Sequence, residues 1–223
     1  TIPFLFLSVL IWIDIDIRKR KQQEITLKNE NLLSEMRFLK SQINPHFLFN
    51  ALNNIYSLAF TKSENTPHMI MKLSDMLRHV VYNSSSVVQL SKEVTYIKNY
   101  IDFQILKLGS SENIQFDFEK ANQTLSLEPM LLIPFIENAF KHSDIDSNPN
   151  GHISIELSTD GKSIELMVQN SFAKAYHTKD HTPGIGLQNV QQRLNLAYPG
   201  RSSVTYKSEN ETFTVNLNLI THA

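Results

Sequence analysis

At Gly109 the spacing of apolar residues changes from helical to alternating, and no other feature of the chain limits its fold as strongly. Before that point, Met69, Leu73, Met76, Leu77 and Val80 keep helical spacing, and Val94, Ile97, Ile101, Ile105 and Leu108 form a second stripe. Ser91 is expected to cap the second helix, with Glu93 in its first turn. After Gly109, residues 114–118 (IQFDF), 153–157 (ISIEL), 164–168 (IELMV), 204–207 and 213–219 (FTVNLNL) mostly alternate with period two, the pattern of strands buried on one face. Two helical stretches interrupt them, 129–142, where Pro129 suits a first turn, and 186–198. The expected fold class is α+β: a helical hairpin, then a mixed sheet with helices on one face.

The N-terminus adds a second constraint. Residues 2–13 (IPFLFLSVLIWI) are almost wholly apolar, Asp14 and Asp16 interrupt, and Arg18, Lys19, Arg20 and Lys21 follow. A full span takes roughly 20 apolar residues, so residues 1–17 read as the end of a transmembrane helix. Basic residues directly after it mark the cytoplasmic side. A core helix would have a similar composition. In residues 22–43, Ile25, Leu32 and Leu39 recur at heptad spacing, with Asn29, Met36 and Ile43 four places after each. Residues 18–43 are therefore expected to form a juxtamembrane coiled-coil linker whose buried Asn fixes register in a homodimer. A helix packed on its own chain would show nearly the same pattern.

Composition removes several alternatives. A net charge of -1 lacks the long-range attraction of a general nucleic-acid binder, so no direct nucleic-acid contact is expected. The absence of cysteine excludes disulfides, thiolate metal sites and a cysteine nucleophile.

Three constellations could carry chemistry. The first is Asn44-Pro45-His46-Phe47-Leu48-Phe49-Asn50, where Pro45 should kink or restart a helix. Imidazole is a competent nucleophile near neutral pH, and Asn50, one turn on, could orient the ring. Most of the eight histidines in such a chain are ordinary polar residues, so His46 alone specifies no reaction. The second is Ile136-Glu137-Asn138-Ala139-Phe140-Lys141-His142. Asn138 offers a neutral oxygen suited to Mg²⁺, and Lys141 and His142 share roughly its face and can meet phosphate oxygens. The same cations would also complement the dipole of a solvated helix end. The third is Pro183-Gly184-Ile185-Gly186-Leu187, a glycine-bracketed turn opening a helix, where backbone N–H groups can approach phosphates. It lacks the features of a dinucleotide fingerprint and of a Walker loop. The polar stretch 172–183 before it has the composition of a mobile cover over a charged ligand.

In this order and at these separations, the three motifs resemble the LytS/YehU-like group of bacterial sensor histidine kinases, from about Met36 to the end. LKSQINPHFLFNALNNI is similar to that family's phosphoacceptor helix, LLIPFIENAFKHS to its N-box, and Gly184-Ile185-Gly186-Leu187 with NVQQRLNLAYPG to its second glycine box. The resemblance implies a helical dimerisation and phosphoacceptor domain over 44–108 and a Bergerat-type ATP-binding domain over 109–223. It implies ATP and Mg²⁺ as cofactors, His46 as phosphoacceptor, Asn138 as the Mg²⁺ position, and Lys141, His142, Gly184, Gly186 and Leu187 around the nucleotide. The expected activity is that of a two-component protein histidine kinase of the bacterial inner membrane, catalytic region in the cytoplasm, passing its phosphoryl group to a response regulator of LytTR type.

Departures from the family pattern bear on that reading. Where many relatives carry Asp-x-Gly to grip adenine, this chain reads Val168-Gln169-Asn170-Ser171-Phe172, so Asn170 could still accept a hydrogen bond but carries no charge. Glu211-Thr212 stands where Gly-Thr is frequent. No acidic residue follows His46, which leaves Glu137 as the candidate base, although it is rotated about 100° from Asn138 along the helix. The alternative reading is a non-catalytic dimeric signalling module with a degenerate nucleotide pocket. A gyrase-like ATPase would need an acidic residue one turn before Asn138, where Pro134 stands.

Overall fold

The structure, a computed structural model, describes residues 17, 19–22, 45–82, 87–122, 124–173 and 185–221, with the backbone alone at 45, 46, 82 and 185. The chain divides into two compact units, Thr1–Pro45 and His46–Ala223. Of the first, residues 17 and 19–22 are helical and exposed. The expected membrane segment and coiled-coil linker otherwise lie outside the described residues. Among the described residues, no helix is long and apolar enough to cross a membrane.

The second unit begins with three helices. Helix α1 (Pro45–Phe60) opens on the proline, which tolerates a first turn because its missing N–H would have no intrahelical partner there. Helix α2 (Thr66–Tyr82) buries Met69, Leu73, Met76 and Val80, four of the five residues in the stripe read from its spacing, and leaves Leu77 half-buried. Strand β1 (Val88–Gln89) leads into α3 (Leu90–Leu108), and α2 packs along α3. Lys72 Nζ joins the pair by donating to Asp102 at 2.6 Å and to Asn99 at 3.0 Å. Helix α3 buries two sets of residues, Val94, Ile97 and Ile101, and the aromatic Tyr96, Tyr100 and Phe103. It ends at Gly109, whose φ of 77° is readily adopted only without a side chain. The expected Ser91 cap is not formed. The N-cap lies two residues earlier, at Gln89, which makes no side-chain capping bond.

The remaining elements are β2 (Ile114–Asp117), β3 (Ser126–Leu127), α4 (Ile133–His142), β4 (Ile153–Asp160), β5 (Ser163–Ser171), α5 (Ile185–Ala197), β6 (Ser202–Glu209) and β7 (Thr212–Ile220). β1 and β3 pair antiparallel, and the main sheet has the order β2-β4-β5-β7-β6, with only β2 and β4 parallel. This is the expected α+β class. Helix α4 starts later than its sequence spacing implies: Met130 has a φ of 60°, which breaks the helix after Pro129, and Pro134 takes the first-turn position.

Period-two alternation places the core. Ile155, Val168 and Val215 form one inward row across β4, β5 and β7, and Leu157, Leu166 and Leu217 form the next. Helix α4 packs on β4 and β5 and against α5, which also meets β6. The opposite face is polar, with a shallow depression of about 330 Å³ lined by Glu156, Met167, Thr205 and Asn216. That depression includes none of the motif residues.

Candidate functional site

The same alternation decides which residue at the end of β5 faces the helices. Ile164, Leu166 and Val168 point inward, so Asn170 does too, paired in register between Ile153 and Phe213. Gln169 belongs to the other face, where its amide donates to Thr214 Oγ1 at 3.2 Å. Asn170 is 1% exposed, a polar side chain in an otherwise apolar row, and its Nδ2 donates to the Ser171 carbonyl at 2.9 Å.

A polar knot that sequence reasoning missed fixes this strand end. The Ser171 hydroxyl donates to Asp144 Oδ1 and accepts the His152 N–H at 2.8 Å, and Asn148 Nδ2 donates to Asp144 Oδ2 at 2.8 Å. Partial burial pushes the Asp144 carboxyl upward, but the hydrogen bonds from Ser171 and Asn148, with the His152 charge, outweigh it and hold the pKa below the ordinary value. Gly151 closes the loop, where a Cβ would lie 2.8 Å from Ile145 Cα. The knot joins the end of α4 to the end of β5. The only trace in the sequence is a cluster of turn-forming residues from 143 to 151.

Helix α4 buries Ile133, Phe135, Ile136 and Ala139, which leaves Asn138 half-buried and Lys141 and His142 exposed in the last turn. Desolvation, then the neighbouring Lys141 charge, pushes the His142 imidazole below its usual value. At neutral pH it is mainly a neutral donor or acceptor, and Lys141 supplies the positive charge. Glu137 faces elsewhere: its charge acts on the buried Tyr96 and Tyr100 of α3, whose hydroxyls burial and then that carboxylate push to higher pKa. Among the described residues no cluster of three or more His, Asp or Glu could cage a metal. Mg²⁺ bound beside phosphates needs few protein ligands, and the half-buried Asn138 has the required oxygen chemistry.

Gly186 lies in the first turn of α5, exposed, and a Cβ built there would meet nothing within 4 Å. Protein packing therefore does not require a glycine at this position. Leu187 is 3% exposed and anchors the turn in the core. Gly184 and nearly all of the expected cover, 174–183, lie outside the described residues. Asn138, Asn170 and Gly186 thus sit on elements gathered on one face of the sheet.

The start of α1 reaches the same region through aromatic rings. Phe47, next to His46, has its ring centroid 5.5 Å from Tyr100 and 5.6 Å from Phe103. Tyr100 in turn meets Phe140 of α4 at 5.7 Å. Asn50 is exposed on α1. The other side of α1 carries Phe49, Leu52, Tyr56 and Phe60, all exposed and all in one helical stripe.

Sequence relatives agree with the resemblance read in the motifs. Residues 34–112 match the family described as Histidine kinase. The sensor histidine kinase BtsS of Escherichia coli (strain K12) is 26% identical over 181 residues, 81% of this chain and 32% of that protein. The sensor protein LytS of Staphylococcus epidermidis is 25% identical over 195 residues, 82% of this chain and 33% of that protein. The chain therefore spans about a third of the length of these curated relatives. Among solved structures, the histidine kinase ThkA in complex with the response regulator protein TrrA is similar at 13% identity and a TM-score of 0.43, over 80% of this chain and 60% of that one.

Proposed function

We propose that this chain, a relative of the LytS-type sensor histidine kinases, is the kinase portion of a two-component sensor that phosphorylates His46 from ATP and passes the phosphoryl group to a response-regulator aspartate. The observation that carries this reading is the aromatic run Phe47–Tyr100–Phe140, which connects the residue after His46 to the helix bearing Asn138. A phosphoacceptor needs such proximity to a nucleotide site, because phosphoryl transfer depends mostly on positioning and charge neutralisation.

In the proposed reaction a ring nitrogen of His46 attacks the γ-phosphorus of ATP. The N–P bond forms as the bond to the leaving ADP oxygen breaks. Asn138 would hold Mg²⁺, which when bound supplies charge neutralisation at the phosphates. Lys141 and His142 would meet phosphate oxygens, Asn170 the adenine, and the backbone N–H groups of the Gly184–Gly186 turn the phosphates, with Leu187 anchoring the turn. Glu137 is the proposed acceptor of the imidazole proton. Its charge lies beside Tyr100, the ring on which Phe47 packs, so it is on the α3 side of α4 that the start of α1 approaches. Asn50 is the proposed orienting residue one turn after His46.

The exposed stripe Phe49, Leu52, Tyr56 and Phe60, an apolar face on a helix that already buries Ala51 on its other side, supports a homodimer. The proposed regulator, by resemblance, is of LytTR type, and the apolar run 2–13 before Arg18 supports a location at the inner membrane. Within the unit that starts at His46, residues to Leu108 are the proposed dimerisation and phosphoacceptor part and those from Gly109 the ATP-binding part. One observation favours the non-catalytic alternative: Asn170, in place of a carboxylate, uses its amide on the Ser171 carbonyl. Incubation of the purified chain with γ-labelled Mg-ATP separates the two. An acid-labile, base-stable label that Asn138→Ala removes supports the kinase; nucleotide binding with no label under any condition supports the signalling module.

A further inference from the structure

Met130, ahead of α4, is held at both ends of its backbone. Its N–H donates to Glu93 Oε1 of α3 at 3.0 Å, and its carbonyl accepts from Arg193 Nη1 of α5 at 3.3 Å. Its φ of 60° is uncommon for a residue with a side chain. Arg193 Nη2 also donates to the Pro129 carbonyl at 3.0 Å and pairs with Glu128 Oε1 at 3.1 Å, and the Tyr198 hydroxyl accepts the Glu128 N–H at 2.8 Å. Residues 128–130 are thus gripped from α3 on one side and from α5 and the residue after it on the other.

Glu93 is wholly buried, with His79 Nε2 of α2 at 3.5 Å and the His79 ring against Tyr96. Its Oε2 has no hydrogen-bond partner among the described residues. A carboxylate kept in such a place with half its acceptor capacity unused is a poor way to gain stability. It is well placed to fix a backbone.

We infer that Glu93 is a positioning residue: by holding Met130 in its left-handed conformation it couples the α2–α3 hairpin to the relative placement of α4 and α5, the helices that carry Asn138 and Gly186. The inference deepens the proposed nucleotide site and rests on that reading only for its binding readout. Glycine takes a positive φ without help, so Met130→Gly should lessen the need for the Glu93 bond.

The test compares Glu93→Ala, Glu93→Gln, Arg193→Met and Met130→Gly by two measurements, affinity for trinitrophenyl-ATP with Mg²⁺ and hydrogen exchange of the α4 and α5 amides. Glu93→Ala should weaken binding about tenfold and raise exchange in both helices. Glu93→Gln, which keeps an acceptor, should stay within about threefold of the parent, and Met130→Gly should restore most of the loss when added to Glu93→Ala. Losses in the Glu93→Ala/Arg193→Met double variant should be less than additive, because both contacts act through one residue. Unchanged exchange in Glu93→Ala, or a Glu93→Gln as defective as Glu93→Ala, overturns the inference. A parent chain that binds no nucleotide contradicts the proposed function instead, while the exchange data still decide the role of Glu93.

Discussion

The ring of Phe47 lies 5.5 Å from that of Tyr100 and tilted by 38°, so the residue beside His46 is seated on the helix that also contacts α4. The contact is partly exposed, and its worth comes from two aromatic neighbours, Tyr100 and Phe103.

Phe47→Ala should therefore lower unfolding stability by about 2 kcal/mol, below the full cost of emptying a core phenylalanine site. It should also reduce His46 labelling more than nucleotide affinity. Denaturant titration beside single-turnover labelling checks this; equal losses in affinity and labelling would show that Phe47 does not place the proposed phosphoacceptor helix.

Asn170→Asp should not behave as a simple repair of the family pattern. A carboxylate at a 1%-exposed position beside the Ser171 carbonyl loses the existing amide bond and is desolvated. The free chain should lose about 2 kcal/mol. If adenine meets this residue, Mg-ATP should stabilise the variant more than the parent, as read by thermal unfolding with and without nucleotide. An equal ligand-induced shift would remove Asn170 from the proposed adenine site.

The Asp144–Ser171 bond makes a pH prediction. Because the folded pKa of Asp144 is depressed, its contribution is complete above the unfolded carboxylate value of about 3.9 and is lost as pH falls through the lower folded value. Ser171→Ala should cost about 1–2 kcal/mol at pH 6. The gap between variant and parent should shrink below about pH 4. Urea midpoints across pH 3–7 measure it; a gap constant with pH would mean that the hydroxyl does not stabilise the ionised form.

Tyr56→Glu combined with Phe60→Glu places charges in the exposed stripe without touching the buried side of α1. The double variant should sediment as a monomer at concentrations where the parent is a dimer, with helix content retained. A parent that is itself monomeric would contradict the proposed homodimer.

The fold class and the inward row of the sheet were legible because both rest on local periodicity. Ile164, Leu166 and Val168 already imply that Asn170, and not Gln169, faces the helices. The start of α4 was not legible: Pro129 and Pro134 both suit a first turn, and the positive φ of Met130 decides between them. Ser91 has the chemistry of a cap, yet β1 pairing with β3 carries the chain into the helix so that the cap falls two residues earlier, at Gln89. Glu93 read as an ordinary first-turn acid, since its partner Met130 is 37 residues away and no local pattern links them. The Asp144–Ser171 knot was hidden for the same reason, its members being 27 positions apart in the chain.

The most direct test of the central claim is to map the phosphoryl group. Parent and His46→Gln chains are incubated with γ-labelled Mg-ATP at equal nucleotide occupancy and digested under alkaline conditions. The parent should carry one acid-labile label on the peptide containing His46, and the variant none. Equal labelling of His46→Gln, or a label confined to another peptide, would contradict the account.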